Sequence, residues 1–167
     1  MTFRRRALAI GAWLAALLSL SLSLSLSLPA AAAMPSTFGP VIGSAILCRS
    51  HLDNAYFYSY LVTAFGKSYK HEGGAYWFKA TDASLWGVQL KDVWVSDDTS
   101  ELVFIGANTD AEADKLADAV KEMTGVRFIP QDASKFPLRV SNPGTTIAYV
   151  NKKSKIYCAR YKPLPRG

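Results

Sequence analysis

Apolar side chains recur at three- and four-residue steps between Leu52 and Phe65, which is the spacing of one face of an α-helix. Ser50 precedes this stretch and is predicted to be its N-cap, with Asp53 three residues later in the position of a capping box. Gly66 follows and suits the left-handed position that ends a helix. The pattern therefore predicts a first helix that is rich in tyrosine and phenylalanine.

A second stripe of apolar residues begins at Ala113 and ends at Met123, with charged residues on the opposite side of the helix. Thr109 and Glu112 have the residue types of a capping box in front of this stripe. Gly125 suits the position directly after the last turn. These features predict a second helix, which is more clearly amphipathic than the first.

The other apolar stretches are short and bounded by turn residues, as β-strands are. The stretch at residues 101–107 contains a continuous apolar run, which predicts a strand inside a sheet. Strand, second helix and strand then follow one another in a βαβ-like unit at residues 101–130, whose crossover should be right-handed if both strands share a sheet. Residues 137–141 begin with a proline and are predicted to be an edge strand. The seven predicted strands cover residues 75–80, 90–96, 101–107, 126–129, 137–141, 145–150 and 155–160.

The order α-β-β-β-α-β-β-β-β predicts an α+β fold, in which two helices pack on a mostly antiparallel sheet. The ββαβ segment from residue 90 to residue 129 is compatible in element order with half of a ferredoxin-like unit. Residues 34–47 contain prolines and glycines and are predicted to be an irregular lead-in. Residues 161–167 are predicted to be a frayed tail. Residues 34–167 would then form a single domain.

The first 33 residues have the organisation of a signal peptide. Three consecutive arginines precede Ala7 to Leu28, a stretch of 22 residues without a charge, and alanines up to Ala33 fit a signal-peptidase site. We predict cleavage after Ala33, which leaves 167 minus 33, or 134, residues for export to the periplasm or secretion. The alternative is an uncleaved membrane anchor, because 22 uncharged residues are long enough to span a bilayer.

The chain contains two cysteines, Cys48 and Cys158. Export would place them in an oxidising compartment, where two cysteines usually pair, and we predict a disulfide between them. The bridge would join the start of the first helix to the last strand. The alternatives are a free catalytic thiol, which would need a histidine partner, and metal ligation. The spacing of a metal site is absent from the sequence.

The basic residues are concentrated near the C-terminus. Residues 34–134 contain 8 basic and 13 acidic side chains, whereas residues 135–167 contain 8 basic and no acidic ones. Such a surface attracts anionic partners, here an anionic envelope component or another exported protein. The alternative is that the lysines protect an exposed sheet edge. No nucleic-acid partner is expected, and the membrane would be contacted only through an uncleaved signal segment. The candidate residues for this surface are Lys152, Lys153, Lys155 and Arg160.

One polar cluster is a candidate site for catalysis. His71 and Glu72 lie before a double glycine in a segment predicted to be a loop, and such loops can present side chains to a cleft. The alternative is an exposed loop without a function. The sequence contains no nucleophile motif, phosphate-binding loop or metal-ligand spacing. We therefore predict no catalytic residue, no cofactor and no metal.

The aromatic residues are candidates for a surface that stacks on sugars or peptides, although core packing is the favoured interpretation of the set. Successive side chains alternate along a strand, so Tyr76 and Phe78 share one face and Trp77 takes the other. Trp86 and Trp94 complete the candidates.

The sequence as a whole predicts a small exported protein that acts by binding and not by catalysis. One alternative is a small periplasmic enzyme with a dispersed site near His71 and Glu72. Another is an envelope-associated structural protein that uses the basic C-terminal hairpin. The ligand is not identified by any of these patterns.

Overall fold

An antiparallel sheet of eight strands is the centre of the fold. The structure is a computed structural model that describes residues 34–162. The helical elements are a π-helical turn at Gly39–Gly43, α1 at Ser44–Ile46, α2 at Asn54–Phe65 and α3 at Ala113–Thr124. The strands are β1 Lys70–Glu72, β2 Ala75–Lys79, β3 Ser84–Leu85, β4 Val88–Gln89, β5 Asp92–Ser96, β6 Leu102–Thr109, β7 Phe128–Pro130, β8 Arg139–Ser141, β9 Thr146–Val150 and β10 Lys153–Tyr161.

The sheet has the strand order β1-β2-β5-β6-β10-β9-β8-β7, and every neighbouring pair is antiparallel. The predicted α+β class is therefore confirmed. The segment at residues 81–89, for which the sequence favours no single element, forms the small separate hairpin β3–β4. The two strands of the predicted βαβ-like unit, β6 and β7, share the sheet, but β10, β9 and β8 lie between them.

Two predictions about the strands were wrong. Strand β8 lies between β7 and β9 and is not an edge; Pro137 precedes the strand and so does not interrupt its ladder. Residues 70–72 were predicted to be a loop, but they form the edge strand β1, which pairs with β2 across the turn of Gly73 and Gly74. Both glycines have positive φ, 62° and 71°, which is the backbone that a tight hairpin turn requires.

The first helix forms as predicted but begins later. Its N-cap is Asp53, whose carboxylate accepts a hydrogen bond of 2.9 Å from the backbone N–H of Tyr56. Ser50 is therefore not the cap, because the carboxylate of Asp53 satisfies the free N–H group of the first turn instead. Gly66 ends the helix at a φ of 78°, as predicted.

The second helix also forms, without the predicted capping box. Its N-cap is Glu112, which makes no capping hydrogen bond with its side chain. Thr109 is the last residue of β6, and its hydroxyl donates to the carbonyl of Gln89 at 2.8 Å. Strand pairing therefore keeps Thr109 in the sheet, although the local sequence pattern assigns this residue to the N-cap of the helix. Gly125 has the predicted left-handed conformation.

All three helices pack on one face of the sheet. Leu61 of α2 and Leu116 of α3 are fully buried in the same apolar cluster as the sheet residues Val93, Ile105 and Ile156. The segment predicted to be an irregular lead-in also belongs to this layer. It is helical over most of its length, because its apolar side chains cover the sheet; those fully or almost fully buried are Phe38, Ile42, Ala45, Ile46 and Leu47.

The predicted disulfide is confirmed. Cys48 and Cys158 are bonded, with 5.2 Å between their Cα atoms, and both are buried. The bond indicates an oxidising, non-cytoplasmic location. Within residues 34–162, no helix has the length and apolar character needed to cross a membrane. The predicted signal peptide and most of the predicted frayed tail lie outside the described residues.

Candidate functional site

The face of the sheet opposite the helices carries a group of aromatic residues. None of Trp77, Trp94, Phe104 and Tyr157 belongs to the apolar cluster that the helices cover. In the described part of the chain no helix packs over them. We call this surface the open face. An aromatic group on an uncovered sheet surface is a candidate for binding, because monomeric proteins seldom leave such patches without a use.

Three of these rings stand in line across the strands. Trp77 on β2 is the register partner of Trp94 on β5. Trp94 is opposite Gly106 on β6, and Gly106 is opposite Tyr157 on β10. We call Trp77, Trp94, Gly106 and Tyr157 the aromatic row. Its ring centroids are 5.7 Å apart from Trp77 to Trp94 and 5.9 Å apart from Trp94 to Tyr157.

Gly106 provides the space for the central ring of this row. A Cβ atom at this position would lie 2.4 Å from Cζ2 of Trp94 and 2.7 Å from Cβ of Tyr157. The indole of Trp94 therefore lies directly over the glycine backbone. Phe104 packs edge-on against the same indole, with 5.6 Å between centroids. As a result Trp94 is only 8% exposed and forms the floor of the group.

A second line of side chains runs beside the aromatic row. Lys79, Asp92, Asn108 and Lys155 are successive register partners on β2, β5, β6 and β10. We call these four residues the polar row. The two rows are in contact, because the indole N–H of Trp94 donates to Oδ1 of Asn108 at 3.3 Å. The open face thus combines flat apolar rings with hydrogen-bonding groups at their side.

The carboxylate of Asp92 is held in its ionised form. It accepts hydrogen bonds of 3.0 Å from Nζ of Lys79 and from the hydroxyl of Tyr69. Burial by itself raises the pKa of Asp92, but these two donors outweigh burial, and the pKa lies below its ordinary value. Burial and the nearby Asp92 carboxylate raise the pKa of Tyr69. At neutral pH this part of the polar row is therefore an ion pair with a neutral phenol beside it.

A shallow cleft of about 350 Å³ lies along the aromatic row and reaches Lys155, near the start of β10. Its walls include Trp77, Phe104, Tyr157, Ala148 and Lys155. Among residues 34–162, Lys155 makes no ion pair. The cleft therefore presents apolar rings with one cationic group at its margin.

The four residues of the predicted basic surface do not lie together. Lys153 and Lys155 are on the open face, since both alternate with the buried Ser154 and Ile156 along β10. Lys152 lies in the turn before this strand, with a φ of 61°. Arg160 faces the helix layer instead, where its Nη2 donates to the carbonyl of Cys48 at 2.8 Å. Arg160 therefore stabilises the region of the disulfide and is not part of a basic surface.

His71 and Glu72 do not form one site either. They are neighbours in strand β1, so their side chains project to opposite faces of the sheet. Glu72 pairs with Lys70 at 2.5 Å. Nε2 of His71 lies 2.6 Å from Oδ2 of Asp97, and the imidazole stacks on Tyr76 with 4.3 Å between centroids.

The sequence predicted part of the aromatic group. Alternation along β2 correctly separated Trp77 from Phe78, which is buried in the core. Trp94 was among the candidates, but Phe104, Gly106 and Tyr157 were missed. The alternation of side chains along a strand was a signal for Tyr157, because it places this residue on the face opposite Ile156 and Cys158. No local signal relates it to Trp94, because their alignment depends on the register of three strands.

Comparisons with protein-family models, with curated proteins and with solved structures found no match to this chain.

Proposed function

We propose that this protein is an exported binding protein that holds its ligand on the open face of the sheet. The observation that supports this function is the aromatic row with the polar row beside it. In binding sites, apolar rings commonly supply the contact area, and a few polar groups beside them fix the orientation of the ligand. The helices, the core and the disulfide then serve as a rigid support behind this surface.

Binding is a better assignment than catalysis for this surface. Asp92 is ionised and already accepts two hydrogen bonds of 3.0 Å, so it is a poor proton donor at neutral pH. His71 points to the opposite side of the sheet, where in the described part of the chain its side chain bonds only to Asp97. A nucleophile and a base are therefore not brought together on the open face.

The proposal also includes the compartment in which the protein binds its ligand. The predicted signal peptide at residues 1–33 would direct the chain to the periplasm or to secretion, and the buried disulfide fits an oxidising compartment. A ligand would then be a molecule of the cell envelope or of the surroundings.

Photo-crosslinking from the cleft tests the binding face. A benzophenone amino acid replaces Ala148, which lines the cleft, and the full chain is produced and irradiated in its own cells. The matched control carries the same group at Lys121, an exposed position on α3. We expect an adduct from position 148 and none from position 121. Equal yields from both positions, or no adduct from position 148, would show that the open face is not a binding surface.

A further inference from the structure

We propose that the open face binds an acidic oligosaccharide, whose sugar rings stack on the aromatic row and whose carboxylate pairs with Lys155. This inference rests on the proposed binding function and names the class of ligand. A short segment of a longer acidic polysaccharide would occupy the face in the same way.

The aromatic row matches a chain of pyranose rings in shape. One face of a pyranose presents several C–H groups, and this apolar face packs well on a flat aromatic ring. The accessible rings of the row are those of Trp77 and Tyr157, which lie on either side of the buried Trp94 at centroid distances of 5.7 Å and 5.9 Å from it. A sugar chain that runs perpendicular to the strands can therefore contact Trp77 with one sugar and Tyr157 with another.

The polar row supplies partners for hydroxyl groups along the same line. It runs parallel to the aromatic row, two residues away from it on each strand. Lys79 and Lys155 are the donors at the two ends of the row, whereas Asp92 and Asn108 are each only 7% exposed and bond to Lys79 and Trp94. A sugar chain that stacks on the rings has hydroxyl groups at its edge, where the ammonium groups of these two lysines lie.

The charges of the open face favour an anionic sugar. The two acidic residues of this face are each paired with a lysine, Glu72 with Lys70 and Asp92 with Lys79. Lys153 and Lys155 have no acidic partner among the described residues. The face therefore has an excess of positive charge beside the rings, and a carboxylate on the ligand would neutralise it.

The same features disfavour other occupants. The cleft is shallow and open, whereas an acyl chain needs an enclosed apolar cavity. Trp77, Trp94 and Tyr157 lie on strands that pair on both sides, so a peptide could not add there as a further strand. A second copy of the face would bring a second pair of uncompensated lysines to the contact, which like charges oppose.

Titration with defined oligosaccharides tests the inference. The full mature chain is titrated with hexagalacturonate, which carries carboxylates, and with cellohexaose, which is neutral; tryptophan fluorescence and calorimetry report binding. We expect the acidic hexamer to bind more tightly than the neutral one. Loss of the half-buried stacking ring in Trp77→Ala should weaken binding of both hexamers by about tenfold.

The lysine variants distinguish the contribution of charge to binding from the contribution of ring stacking. Lys155→Met should weaken binding of hexagalacturonate by about fivefold, leave cellohexaose unchanged and so remove the preference. Lys121→Met, on α3, is the matched control and should have no effect. Near-UV circular dichroism checks the fold of each variant, and Lys155→Met remains informative if Trp77→Ala does not fold.

Three results would overturn the inference. One is that hexagalacturonate does not bind; another is that Lys155→Met and Lys121→Met behave alike. The third is that hexaglutamate binds as tightly as hexagalacturonate, since this would show attraction by charge alone. If the sugars fail but position 148 still gives a crosslinked adduct, only the ligand class is wrong. If both fail, the proposed binding function is wrong as well.

Discussion

Gly106 shows how a single residue determines the form of the open face. Its partners across the sheet, Trp94 and Tyr157, carry large rings on the same face. Two such rings could not lie this close if the residue between them had a side chain, because a Cβ would meet Cη2 of Trp94 at 2.5 Å. The glycine weakens its strand in isolation, but its absent side chain allows the central ring to lie flat on the sheet.

Replacement of this glycine tests that interpretation. Gly106→Ala should lower the free energy of unfolding by about 1–3 kcal/mol, since the added methyl overpacks the site, and should change the fluorescence of Trp94. Urea unfolding monitored by circular dichroism measures the loss. Gly39→Ala is the matched control, because no atom lies within 4 Å of a Cβ at that position. Equal midpoints for the two variants would contradict the packing described for Gly106.

Two hairpins of the sheet are held together at one end by a cluster around Asp97. This residue follows β5, and its Oδ1 accepts hydrogen bonds from the hydroxyl and the backbone N–H of Thr99, at 2.6 Å and 3.1 Å. Its Oδ2 lies 2.6 Å from Nε2 of His71 in the β1–β2 hairpin. The hydrogen bond from the Thr99 hydroxyl, with that from His71, lowers the pKa of Asp97 from 3.8 to about 2.

Acid should therefore weaken the connection between these hairpins. Because the pKa of Asp97 is lower in the fold than in the unfolded chain, its stabilisation is complete above 3.8 and disappears as the pH falls towards about 2. Asp97→Asn should cost about 1 kcal/mol at pH 7 and almost nothing at pH 2, once solvent screening is considered.

Unfolding in urea at several pH values between 2 and 7 measures this difference. Thr99→Ala should reduce the same pH-dependent stabilisation, because it removes the hydroxyl that contributes most. Thr63→Ala is the control, since that exposed hydroxyl bonds within α2 to the carbonyl of Ser59. A difference between the parent and Asp97→Asn that stays constant down to pH 2 would exclude the carboxylate as its source.

The sequence predicted elements well where local signals determine them. The apolar stripe and terminal glycine of each long helix, and the alternation along β2, are properties of one segment and were interpreted correctly. The capping box at Thr109 failed because β6 extends further than its apolar run, and pairing with β10 holds Thr109 in the sheet. Strand β1 was missed because its polar residues form a strand only by pairing with β2.

The candidate site was less predictable than the fold, because it depends on how separate strands align in the sheet. Each member of the aromatic row comes from a different strand, and the outer two, Trp77 and Tyr157, are 80 positions apart in the sequence. Alternation tells which face a side chain takes, but only the register of four strands places these rings in one line. A binding surface of this kind is a property of the assembled sheet and not of any motif.

The disulfide connects the two layers of the whole molecule. Cys48 lies two residues after the end of α1 in the helix layer, and Cys158 lies in β10, which has strands on both sides. Arg160 adds a hydrogen bond to the carbonyl of Cys48 from the same strand. The chain between the cysteines, with a sequence separation of 110, includes most of the fold, so the bond restricts the unfolded chain strongly.

Removal of this bond should be the most destabilising change considered for the molecule. In the chain-entropy description a loop of this length corresponds to about 4–5 kcal/mol, and Cys48→Ala with Cys158→Ala should lose a large part of that amount without changing the fold. Urea unfolding of the parent and the double variant, each with and without reductant, measures the effect. Reductant should lower the stability of the parent to that of the variant and leave the variant unchanged. Equal stability of the oxidised parent and the variant would show that the core alone holds the two layers together.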